Sequence, residues 1–72
     1  MWKDKNGSSV TLLDKVSFIK ENTDLVGTVV AVMDNDHILT IKTGRGMYFE
    51  VMDSDCELKE KGKSHNNPKF QT

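Results

Sequence analysis

Three side chains in this 72-residue chain are soft enough to bind a metal or act in nucleophilic chemistry: His37, Cys56 and His65. None pairs with another at a zinc spacing such as C-x-x-C or H-x-x-x-H, so a zinc centre is not expected. Cys56 as a nucleophile with His37 as its base lacks an orienting third group and an oxyanion hole. The expected role of Cys56 is that of a small residue buried or half-buried on a strand. Asp34-Asn35-Asp36-His37 opens like a calcium-binding loop. That loop needs glycine at its sixth position and glutamate at its twelfth, and the chain has Leu39 and Arg45 there. Asp53-Ser54-Asp55 fails in the same way, with Leu58 at the sixth position. Both acidic triplets read as turns. Gly44-Arg45-Gly46 places two glycines around a cation, but no helix pattern follows, so it is not a phosphate-binding loop. As a hairpin tip it would present Arg45 to solvent. Enzymatic chemistry therefore has no supporting constellation, and neither metal nor cofactor is expected.

Binding is the remaining class. Tyr48 and Phe49 are adjacent in an alternating segment, so they face opposite sides. With Phe49 inward, Tyr48 stands on the outer surface, and Met52 shares its face. Lys42, Arg45 and Lys20 are expected nearby. Tyr48, Met52, Arg45, Lys42 and Lys20, together with the loop at 21–25, are the candidate contact surface. An aromatic flanked by cations suits base stacking, whereas an aromatic with a neighbouring methionine suits a protein hot spot. The acidic turns at Asp34, Asp36, Asp53 and Asp55 could meet a basic partner.

Charge gives no decision for nucleic acid. Ten basic residues against eleven acidic ones leave a net charge of −1. Nine of the ten are lysines, and Arg45 is the only arginine, the residue best suited to bidentate phosphate or base contacts. A protein partner is therefore the leading expectation, and RNA or single-stranded DNA the alternative. One cysteine precludes an intrachain disulfide, and no signal-like apolar stretch opens the chain. No segment nears the roughly 20 apolar residues of a membrane helix. The expected setting is a reducing cytoplasm, with a monomer and no membrane partner.

The elements that must position these residues are short and alternating. Lys15–Lys20 alternates with Val16 and Phe18 on one side. Its other reading, an amphipathic helix over 10–21, is disfavoured by Phe18-Ile19 and the β-branched residues. Residues 21–24 read as a polar loop. Val26 to Met33 is the most apolar run, with Gly27 marking a bulge or a close backbone approach. Asp34-Asn35-Asp36 turns the chain, with Asn35 suited to a left-handed conformation. Ile38 to Lys42 returns, and Thr43–Gly46 turns again, its two glycines suited to positive φ. Met47, Phe49 and Val51 share one face of the next strand, and Tyr48, Glu50 and Met52 the other. A short turn or one turn of 3₁₀ helix at 53–55 leads to a last strand at 56–59 that brings in Leu58. Asn6-Gly7 signals a turn near the start. This pattern predicts a single all-β unit.

Lys15-Val16-Ser17-Phe18, the polar loop, the Gly27-Thr28-Val29 strand, two hairpin returns and a terse last strand after Asp53-Ser54-Asp55 together resemble the small SH3-like barrels. These include the KOW-type domains of ribosomal and transcription-elongation proteins. The resemblance spans roughly residues 14–59. It implies a five-stranded, strongly bent sheet with no catalytic residues, used to bind RNA, protein or both. The neutral charge departs from the basic nucleic-acid-binding members. A free-standing barrel of this size also looks like the accessory proteins that phages and mobile elements encode. The implied organisation is an N-terminal segment or edge strand at 1–13, a barrel at 14–60 and a disordered polar tail at 61–72. Both terminal segments are expected to be flexible and to add little to the core.

Overall fold

A computed structural model describes residues 2–33 and 35–62. Among these residues every regular element is a strand except one 3₁₀ turn at Asp53–Asp55. β1 (Trp2–Lys3) and β2 (Ser9–Val10) form a two-stranded hairpin. β3 (Lys15–Lys20), β4 (Thr23–Met33), β5 (Ile38–Thr43), β6 (Tyr48–Met52) and β7 (Glu57–Glu60) form one antiparallel sheet in the order β6-β5-β4-β3-β7. The all-β reading holds, with five strands in the main sheet.

Alternation decides β3. Val16 and Phe18 are buried at 0% and 3% exposure, while Lys15 and Ile19 face solvent. A period of two fits these residues, and a helical period does not. β4 starts earlier than expected, at Thr23, because the polar loop is only two residues long. Glu21 and Asn22 both take positive φ, 51° and 65°, between the paired Lys20 and Thr23. That is the conformation whose twist matches a tight hairpin.

Gly27 is the close approach that its sequence context predicts. A Cβ there would lie 2.5 Å from Ile41 Cγ2 and 2.7 Å from the Lys42 carbonyl. The bulge falls further along, where the β4–β5 register slips between Val29 and Ala31. A bulge bends and twists its strand. The bend lets the sheet curl back on itself. Phe18 of β3 and Phe49 of β6 stack at 5.5 Å between centroids, tilted by 58°, although two strands separate β3 from β6 in the sheet. The core beneath holds Val10, Val16, Phe18, Val29, Leu39, Ile41 and Cys56, with Leu58 and Trp2 packed at its margin.

The remaining turns differ in detail from expectation. Between β4 and β5, His37 takes the left-handed conformation, at φ 55°. His37 is held from both sides by Asp53: its carbonyl accepts the Asp53 N–H at 2.9 Å, and its Nδ1 lies 3.1 Å from Asp53 Oδ2. Between β5 and β6 only Gly46 uses positive φ, at 83°, its N–H donating to the Thr43 carbonyl.

The N-terminal segment is more than a polar end. Val10 is 1% exposed and belongs to the core. The hairpin is a sheet of its own rather than an edge strand of the barrel. The first two residues of the expected tail, Lys61 and Gly62, are tied down by Asp14. The Gly62 N–H donates to Asp14 Oδ1 at 2.7 Å, and the Lys61 ammonium reaches Asp14 Oδ2 at 2.6 Å. Residues 63–72, with His65 among them, lie outside the described residues, as does Asp34.

Candidate interaction surface

The strand pairings place the outward side chains in rows. Lys15 pairs with Thr28, Thr28 with Lys42, and Lys42 with Tyr48. This row crosses four strands. The Lys42 ammonium sits 5.7 Å from the Tyr48 ring centroid, a cation–π distance. Toward the other end, Ile38 pairs with both Met33 and Met52, which makes an apolar row. Met33 and Met52 are about half exposed, and Tyr48 is 61% exposed. Tyr48 and Met52 are four positions apart, roughly 13 Å along an extended strand. They share a face, as expected, but stand in different rows with Thr40 and Glu50 between them.

The other candidates divide. Arg45 lies exposed at the β5–β6 hairpin tip. Lys20 does not join Tyr48. It sits at the β3–β4 tip and lines a groove of about 520 Å³ that Met52 also lines. Lys15 takes the place in the row that Lys20 was expected to fill. Alternation puts Lys15 on the outer face, but only the register of two successive hairpins aligns it with Lys42. A second, smaller pocket of about 450 Å³ lies along this row, lined by Lys15, Val26, Thr28, Val30 and Lys42 among others. Val26 and Val30, exposed at 53% and 38%, were not legible as surface residues in an apolar run.

The acidic turns also divide. Asp53 is 6% exposed and works internally, accepting the Lys3 N–H at 3.0 Å in addition to holding His37. It is not available to a partner. Asp36 and Asp55 are exposed. Asp53 is one of three buried aspartates among the described residues, with Asp4 and Asp14. Burial alone would push each carboxyl up, but donated hydrogen bonds more than offset this and hold all three below the usual range. Asp4 accepts the N–H groups of Asn6, Ser8 and Leu58, and Asp14 those of Thr11 and Gly62 together with the Lys61 ammonium.

Cys56 is fully buried. Burial, with the charges of Asp55, Asp53 and Asp4, pushes its thiol up to about 11. Its sulfur lies 3.5 Å from the Met52 carbonyl, and His37 is engaged with Asp53. A neutral, enclosed thiol is a poor nucleophile. Among the described residues, no three His, Cys, Asp or Glu side chains converge on a point where a metal would sit, and no helix is long and apolar enough to cross a membrane.

The two edges of the main sheet differ. The outward edge of β7 is covered, because the Leu58 N–H donates to Asp4 at 2.7 Å and the Cys56 carbonyl just before β7 accepts the Lys5 N–H at 2.9 Å. Among the described residues no strand pairs with the outward edge of β6. Comparison with protein-family models, curated proteins and solved structures finds no match to this chain.

Proposed function

We propose that this chain is a non-enzymatic interaction module that docks on a larger protein machine and modulates it, using the outward face of β6. The observation that carries this reading is the strand itself. Tyr48 and Met52 stand 61% and 49% exposed on one five-residue strand, while its inward residues Phe49 and Val51 pack on the core. Exposed aromatic and methionine side chains on a rigid strand are the usual anchors of protein interfaces. The resemblance to small SH3-like, KOW-type barrels, and the likeness to phage-type accessory proteins, belong to this proposal. The bent five-strand order and the 3₁₀ turn before the last strand support the first of these.

The test is capture of a partner by the tagged full chain, with and without nuclease, beside a Tyr48→Ala variant. A nuclease-resistant partner that Tyr48→Ala no longer captures is the expected result, and undiminished capture overturns it. A second reading, RNA or single-stranded DNA binding, is favoured by the Lys15–Thr28–Lys42–Tyr48 row. It predicts affinity for a labelled oligonucleotide that falls steeply with added salt. No binding at low salt would end that reading.

A further inference from the structure

We infer that the edge of β6 left unpaired among the described residues accepts an extended, lysine-bearing peptide segment of a partner as an added strand. The inference rests on the docking reading above and names the chemistry of the partner.

Backbone geometry comes first. The Thr43 N–H donates to the Met47 carbonyl at 2.8 Å, and the Asp53 N–H to the His37 carbonyl at 2.9 Å. These are the hydrogen-bonded pairs of the β5–β6 ladder, and in an antiparallel ladder such pairs alternate with non-bonded ones. The Lys42–Tyr48, Thr40–Glu50 and Ile38–Met52 pairs are therefore the non-bonded ones. The main-chain N–H and C=O groups of Tyr48, Glu50 and Met52 point away from β5. Of these, the Met52 carbonyl meets the Cys56 thiol at 3.5 Å. The others form a three-residue template of the kind that strand-adding ligands use.

The groove of about 520 Å³ runs along this edge, between β6 and the side of the barrel formed by β3 and β7. Its volume falls within the range of ligand clefts, roughly 300–1,000 Å³. Its charge selects the occupant. Asp24, Glu50, Asp55 and Glu57 line it, against Lys5 and Lys20. Only Glu57 of these carboxylates has an ion-pair partner among the described residues, Lys59 at 3.7 Å. A strand that alternates lysine with β-branched residues would set ammonium groups on the face that carries Glu50 and apolar groups on the opposite face, toward Phe18 and Val51, which also line the groove. A second copy of this chain fits less well. Antiparallel pairing of two β6 edges about their middle residue opposes Glu50 to Glu50, and like charges directly opposite are unfavourable.

The probe is the synthetic peptide Ac-KVKVKVK-amide, titrated into nitrogen-15-labelled full chain up to millimolar concentration. Ac-EVEVEVE-amide and the proline-interrupted Ac-KVKPKVK-amide are the controls. The expected result is saturable shifts centred on the Tyr48, Glu50 and Met52 amides with the first peptide, and binding at least about tenfold weaker with either control. Glu50→Lys should weaken the first peptide by about tenfold while leaving the spectrum folded. Unmoved β6 amides, equal binding of the proline peptide, or the same shifts appearing with protein concentration alone would each overturn the inference. Unmoved amides together with partner capture that depends on Tyr48 would leave the docking reading intact and remove only strand addition. Shifted amides together with capture indifferent to Tyr48→Ala would remove the side-chain face and keep the edge.

Discussion

β6 and β7 are the two ends of one sheet, and they are treated in opposite ways. The outward backbone at β7 is occupied by a segment more than fifty residues earlier in the chain. Asp4 accepts the Leu58 N–H there while also closing its own turn through Asn6 and Ser8. One carboxylate thus ties the N-terminal hairpin to the last strand and blocks an edge that could otherwise pair. β6 has no such cover among the described residues, and it is the strand that displays Tyr48 and Met52. Proteins ordinarily protect sheet edges against unwanted pairing. The edge uncovered among the described residues is where the proposed strand addition would cost the fold least.

Acid should break the covered side first and furthest. Asp4, Asp14 and Asp53 all have folded pKa values below the ordinary 3.8. Their stabilisation is therefore fully present above that value and is lost as pH falls through it toward the folded values. Thermal melts between about pH 7 and pH 2 should show a flat Tm down to about pH 5 and a progressive fall below it. A Tm unchanged at about pH 2 would refute the role given to the three carboxylates.

Asp4→Ala is the sharpest single substitution. It leaves three N–H groups without their acceptor and should cost about 3 kcal/mol in urea unfolding. It should also make the Leu58 amide exchange faster, since that edge is then uncovered. Gly27→Ala should cost about 2 kcal/mol, because the new methyl meets Ile41 and the Lys42 carbonyl in a place that cannot open without parting β4 from β5. Tyr48→Ala should change stability by less than about 0.5 kcal/mol, the range of an exposed substitution, while abolishing capture of the partner. A large loss of stability there would make β6 a structural strand and remove the contrast between the edges.

Much of the strand pattern was legible locally. Val16 and Phe18 alternate with polar neighbours in β3, and Phe49 and Val51 alternate with Tyr48, Glu50 and Met52 in β6, so inward and outward sides followed from a period of two. Gly27 announced a close approach because no side chain was there to prevent one. The left-handed conformation of His37 was not foreseen, since its carbonyl and ring are both held by Asp53 from a distant turn. Lys20 misled, because the two-residue turn at Glu21-Asn22 carries it to the groove, away from Tyr48.

The candidate site was half legible. That Tyr48 and Met52 face outward could be read from β6 alone, and the Lys42–Tyr48 contact required only one hairpin register. The alignment of Lys15 with both, the groove shared by Lys20 and Met52, and the difference between the two edges could not be read. Each depends on residues far apart in sequence, and on the Val29–Ala31 bulge that curls the sheet until Phe18 meets Phe49. Composition and alternation by themselves determined an all-β chain, the inward residues of its strands and the exposure of Tyr48. Tertiary structure alone decided which aspartates are buried caps and which edge is closed. Those outcomes turn on long-range hydrogen bonds to single carboxylates, and a local pattern does not encode where a distant N–H will be.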